Sequence, residues 1–224
     1  MTKLSVTLTS RERNWGFGWF AFQLLALPSL LRMLPLDILT LNLLGFTLNF
    51  LAVIGLFGPF LWKNARIFFA HPGQLLLVCL VVYFANQFIT FALSSVITEL
   101  FPGFSNVNDA NIGQMAKTSY WPMFIATVIL VPVAEEMCFR GLIFGSLHAK
   151  SRLLAYGVSA LAFALPHVMG YMGRHDIGIL LLCLIQYLPA GILLAYAYEK
   201  ADSLWAPIFV HSAVNAIAML AVRL

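Results

Sequence analysis

The chain has 224 residues, of which 61% are hydrophobic and 10% charged, with a mean hydropathy of +0.89 and a formal net charge of +4. This is too apolar for a water-soluble domain of its size, so the composition points to an integral membrane protein. The positive charge forms no clustered basic stripe, and nothing suggests nucleic-acid binding.

A helix needs ~20 mostly apolar residues to cross a ~30 Å hydrocarbon core. Segments of that kind run over 15–34, 38–62, 73–98, 121–147, 153–169, 177–199 and 204–222. They lack the two-residue alternation of barrel strands and far exceed ~10 residues, so helices are expected. The predicted fold is therefore all-α, a polytopic bundle of about seven transmembrane helices forming one membrane domain over 1–224. The polar start, MTKLSVTLTSRERN, precedes an apolar run without a small-residue cleavage site and reads as the lead-in to a retained first helix.

Trp15, Trp19, Trp62, Trp121 and Trp205 all fall near predicted helix ends, where amphipathic rings favour the membrane interface. With a cytoplasmic N-terminus, the inside segments hold Lys3, Arg11, Arg13, Lys63, Arg66, Lys150, Arg152 and Lys200. The outside segments hold Arg32, Lys117, Arg174 and Arg223. The positive-inside preference thus favours an N-in, C-out arrangement.

The longest polar interruption, ELFPGFSNVNDANIGQMAKTSY (99–120), is either a lid or interfacial helix, or a plain connector. Cys79, Cys138 and Cys183 lie inside spans without metal-type spacing and read as small core residues. His71, His148 and His175 read as surface groups at loops or interfaces. Asn42, Asn49, Asn86, Gln87 and Gln186 read as interhelical hydrogen-bond partners or the lining of an access path.

Three patches carry polar groups to membrane depth, where each ionisable side chain costs about 2.5–3.5 kcal/mol and usually faces protein or water. They are Glu135, Glu136 and Arg140 in EEMCFR, His167 in FALPH, and His211 with Asn215 in HSAVN. Glu136 and Arg140, four apart, share a helix face and can pair, while Glu135 lies about 100° away without that partner. Counted from the turn holding Lys150 and Arg152, Glu135 and His167 are both fifteen residues into their helices. Asn215 is fifteen residues beyond Lys200, with His211 one turn shallower. At 1.5 Å per residue the patches reach one level, about 22 Å deep. A carboxylate and an imidazole can polarise water, and a second imidazole with a carboxamide can donate to an oxyanion. One Glu and two His can equally hold a catalytic zinc.

In these motifs, EExxxR, FxxxH and HxxxN in that order on separate helices, the chain resembles the CAAX prenyl endopeptidase type II and bacteriocin-processing (Abi) family of intramembrane proteases. The resemblance covers 120–220, the family-like catalytic core. It implies that Glu135 and His167 activate the attacking water, that His211 and Asn215 stabilise the oxyanion, and that Glu136 and Arg140 brace the site. It further implies a membrane-associated peptide or protein substrate and a bacterial cell membrane as the setting. No cofactor is expected, because Asn215 suits an oxyanion donor and HExxH is absent; zinc on Glu135, His167 and His211 is the alternative. Two other functions fit the same cluster: a non-proteolytic scaffold or bacteriocin self-immunity protein, and a proton-coupled transporter, which the lack of an internal repeat disfavours.

Overall fold

The computed structural model describes residues 4–223. Lys3, one of the basic residues counted above, lies outside the described residues. Among the described residues there is no strand, and nine helices form: α1 Ser10–Leu25, α2 Leu27–Leu31, α3 Ile38–Ala70, α4 Pro72–Leu100, α5 Val107–Thr118, α6 Tyr120–His148, α7 Arg152–Met169, α8 Ile177–Ala201 and α9 Trp205–Arg223. The chain is an all-α polytopic bundle, as its hydropathy predicts.

Six of these helices, α3, α4 and α6 to α9, are long and apolar enough to cross a membrane. The first predicted span differs. It is a helix broken at Ala26, because Pro28 has no N–H to continue the ladder and its ring crowds the carbonyl four residues back, so a new helix starts at Leu27. The two pieces run antiparallel to α3. A Cβ on Gly16 would lie 2.7 Å from Phe57, and one on Gly45 would lie 3.3 Å from Leu31. Gly16 thus allows α1 to approach α3 closely.

Polar caps fix where the helices start. Thr9 and Glu12 form a reciprocal capping box on α1, Asp37 caps α3, Asn106 caps α5, Ser151 caps α7 and Asp176 caps α8. α3 continues past the predicted end at Trp62 to Ala70, because Lys63-Asn64-Ala65-Arg66 is good helix-forming sequence. Trp62 is therefore not at a helix end. It lies next to Leu61, whose carbonyl accepts the Trp205 indole N–H at 3.0 Å, so both rings mark one level of the bundle.

One end of the bundle gathers the basic residues. Ser5 N–H donates to Asp202 at 2.8 Å, and Arg66 and Lys200 flank one cleft there with Ser5 and Asp202. The same end is locked by a buried carboxylate. Glu199 receives His148 Nε2 at 2.8 Å, Arg152 at 2.7 Å and the Tyr156 hydroxyl at 2.8 Å. His148, expected at the surface, is instead buried, because its ring supplies a donor to this otherwise costly charge.

α6 forms the centre of the bundle. Its apolar window is 56% buried, against 33% or less for the other five long helices. α7 packs antiparallel to it. Phe139 meets Phe163 edge-on at 5.5 Å, Phe144 meets Tyr156 at 5.2 Å, and Ser159 donates to the Phe139 carbonyl at 2.9 Å. This register sets residue 135 opposite residue 167. α8 approaches α7 so closely that a Cβ on Gly191 would sit 2.8 Å from Ala160 Cα. Only glycine fits there.

Candidate active site

α6 is not a uniform α-helix. Ala126–Leu130 and Met137–Phe144 are π-helical, with Val131–Glu136 between them. Such wide turns have poorer geometry than α-helix and recur at functional sites. Here they bracket Glu135 and Glu136. Pro132, without an N–H, cannot supply the i→i−5 donor that the Thr127 carbonyl would take in π register. Asn215 Nδ2 donates to that carbonyl instead, at 2.8 Å. One amide hydrogen of Asn215 is thereby committed to shaping α6, and the other is free.

Glu136 and Arg140 are fully buried and bonded at 2.9 Å, as their spacing predicts. Arg140 also donates to the Gly191 carbonyl at 3.1 Å, and its guanidinium lies 4.4 Å over the Phe163 ring. A charge in such a setting is tolerable only with partners of this kind. The carboxylate does more than pair with arginine. Its Oε1 also accepts the Nδ1–H of His211 at 2.8 Å. That bond fixes the ring and turns Nε2 toward Glu135, whose Oε2 is 4.0 Å away. One imidazole thus stands between two carboxylates.

His167 is positioned differently. Pro166 interrupts α7, which divides into Arg152–Ala164 and Pro166–Met169. At this break the His167 Nδ1 lies 2.9 Å from the Phe163 carbonyl. A carbonyl can only accept, so Nδ1 carries the hydrogen and Nε2 is left as a base. The ring also stacks on Tyr187 at 4.2 Å. Phe163 joins the site together, packing on His167 at 5.0 Å, on His211 at 5.7 Å and under Arg140.

Glu135, Glu136, Arg140 and His211 are therefore in direct register, and His167 shares the Phe163 ring with His211. Glu135 and His167 stand level but make no direct polar contact, and Asn215 is turned to Thr127. Among the described residues no three His, Cys, Asp or Glu side chains are disposed to hold a metal ion. Glu135, His167 and His211 as placed do not form such a group.

Two contributors, Tyr187 and Gln23, are not marked by the sequence. Tyr187 holds His167 and bonds to Asp109 at 2.6 Å; with Asn106 donating to Gln186 at 2.9 Å, this docks α5 against α8. The 99–120 segment thus carries an anchored helix. Gln23 and Asn49, from α1 and α3, line a cavity of about 130 Å³ with Glu135 and Pro166. Asn49 is one of the amides that the sequence marks as hydrogen-bond partners or the lining of an access path, whereas Gln23 carries no signal beyond being an amide in an apolar run.

Residues 117–217 match the model of the family described as type II CAAX prenyl endopeptidase Rce1-like. That segment, a little under half of the chain, is similar to this family. The Rce1-like segment contains α6, α7, α8 and most of α9, and with them Glu135, Glu136, Arg140, His167, His211 and Asn215. The chain is also similar to "Putative membrane peptidase YdiL" of Bacillus subtilis (strain 168), 31% identical over 99 residues, 44% of this chain and 36% of that protein. A second relative is UPF0177 protein YxdF of Lactococcus lactis subsp. lactis (strain IL1403), 32% identical over 96 residues, 43% of this chain and 48% of that protein. The chain thus spans less than half the length of either relative. No solved structure matches it. The Rce1-like segment and the six apolar helices together make this an integral membrane protein.

Proposed function

We propose that the protein is an intramembrane endopeptidase that hydrolyses a peptide bond in a membrane-associated protein or peptide. The observation that carries the reading is the His211 ring held at Nδ1 by Glu136, with Nε2 4.0 Å from Glu135. With Nδ1–H committed to Glu136, the ring donates from Nε2 as an imidazolium. Two carboxylates then face two cations, Arg140 and His211, so the buried cluster is neutral overall.

In this account water enters between Glu135 and His167. Glu135 takes its proton, His167 Nε2 accepts a second hydrogen bond, and the hydroxide attacks the scissile carbonyl. The oxyanion is met by His211 Nε2–H and the free amide hydrogen of Asn215. Glu135 returns the proton to the departing amine. Glu136 and Arg140 touch no reacting atom and hold His211 in position.

The substrate class follows from the family description and the bilayer setting: a lipid-anchored or membrane-inserted peptide. The basic end faces the cytoplasm on the positive-inside preference, and the bacterial relatives favour a bacterial cell membrane. The test is cleavage by protein reconstituted in vesicles. The substrates are a farnesylated Cys-Ala-Ala-Leu peptide and a panel of leader peptides, with and without chelator. The reading predicts cleavage that chelator leaves intact and that His167→Ala and His211→Ala each reduce by about 10²-fold or more. Folded variants that cleave at the wild-type rate overturn it, and loss of activity on chelation with restoration by zinc overturns the metal-free mechanism.

A further inference from the structure

The cavity in front of Glu135 is lined by two buried acceptors with no bonded donor; His211 Nε2 stands 4.0 Å from Glu135 Oε2, beyond hydrogen-bond reach. Neither Glu135 Oε2 nor Asn49 Oδ1 has a hydrogen-bond partner among the described residues. Buried polar atoms are paired in the great majority of cases, and an orphan points to a ligand or water as partner. Both residues line the same cavity of about 130 Å³, with Gln23 beside them. The rest of the wall is apolar: Leu24, Phe46, Val131 and Phe139.

The chemistry of this wall is selective. Two acceptors must be met by donors, and a carboxamide offers both an acceptor and a donor, which matches one peptide unit. At ~30 Å³ per water the space equals about four waters. That is room for one backbone amide with a small apolar side chain, and Phe46 forms part of the wall. Gln23, Leu24, Phe46 and Asn49 belong to α1 and α3, outside the Rce1-like segment.

We propose that this cavity is a substrate subsite in which Asn49 Oδ1 accepts a backbone N–H next to the scissile bond and Phe46 limits the adjoining side chain to a small apolar one. The proposal rests on the endopeptidase reading for the direction of the chain, and its occupant is an extended peptide segment. In this view the family-like half carries the reacting groups, while the N-terminal half selects what reaches them. Asn49 is a positioning residue that acts on the bound substrate.

The experiment uses the full chain in nanodiscs and a fluorescent, farnesylated Cys-Ala-Ala-Leu peptide, with a second version carrying Phe at the first Ala. Binding is read by anisotropy and cleavage by product release. Asn49→Leu keeps the volume and removes the acceptor; it is expected to weaken binding and raise KM by about tenfold, one hydrogen bond's worth, with kcat little changed. Phe46→Ala widens the wall and is expected to raise the kcat/KM and affinity for the Phe peptide relative to the Ala peptide by about tenfold. Misfolding cannot produce that gain. If wild type binds the Ala peptide without cleaving it and both variants shift binding as stated, the subsite stands and the endopeptidase reading falls. If wild type cleaves but Asn49→Leu keeps its KM and Phe46→Ala its preference, the subsite falls alone. Failure of wild type to bind either peptide also overturns the subsite.

Discussion

His211 Nδ1 donates to Glu136 at 2.8 Å, and this one bond decides what the rest of the site can do. It directs the second ring nitrogen to Glu135 and ties the imidazole to the buried ion pair. His211→Gln keeps a donor for Glu136 and removes the ring nitrogen facing Glu135. Cleavage is expected to fall by about 10²-fold or more, with the unfolding midpoint in mild detergent shifted by only a few degrees. Activity and thermal unfolding measured on the same preparation check both halves.

Arg140 and Glu136 are both fully buried, so removing one strands the other. Arg140→Leu is expected to cost about 3–5 kcal/mol, and the double change with Glu136→Leu to recover much of it, because an apolar pair leaves no charge uncompensated. Denaturant unfolding of the two variants measures the difference. The double variant is not expected to cleave, since His211 loses its Glu136 anchor there.

Much of this was legible in the sequence for a simple reason. Hydropathy and length mark helices that lipid must enclose, so Ile177–Ala201 and Trp205–Arg223 fall within two residues of expectation at either end. The level of Glu135 with His167 followed from residue counts, because two antiparallel helices from a short turn have little freedom. What failed depends on tertiary partners. The Glu199 lock links residues 43 to 51 apart in sequence, and hydropathy carries no information about pairing. The π turns of α6, and with them the bond from Asn215 to Thr127, arise from packing and from Pro132. The break at Ala26 had a visible cue in Pro28, which an apolar window averages away.

Tyr187 connects α5 to the site, with its hydroxyl on Asp109 and its ring on His167. Tyr187→Phe keeps the ring and removes the hydroxyl that meets Asp109, Asn106 and Asn108, leaving the Asn106–Gln186 bond in place. Amide exchange over Val107–Thr118 is expected to speed up by about tenfold, a local loosening, while Tyr187→Leu also lowers cleavage because His167 loses its stacking partner. Hydrogen exchange followed by mass spectrometry, run beside the cleavage assay, separates the two effects.

Glu199 is far from the reacting groups and holds three partners at the basic end. Glu199→Gln is expected to cost about 2 kcal/mol, the value of charge-assisted bonds lost at a buried site, and to leave cleavage unchanged by the folded fraction. Unfolding and specific activity per folded molecule check it.

The central claim is that Glu135 activates the attacking water. The most direct measurement is the single-turnover cleavage rate of wild type and Glu135→Gln, reconstituted side by side with the same farnesylated peptide. Folding is verified by helical content and unfolding midpoint. The account predicts a folded Glu135→Gln protein that binds the peptide normally and cleaves it at least about 10²-fold more slowly. A folded Glu135→Gln protein that cleaves at the wild-type rate contradicts it.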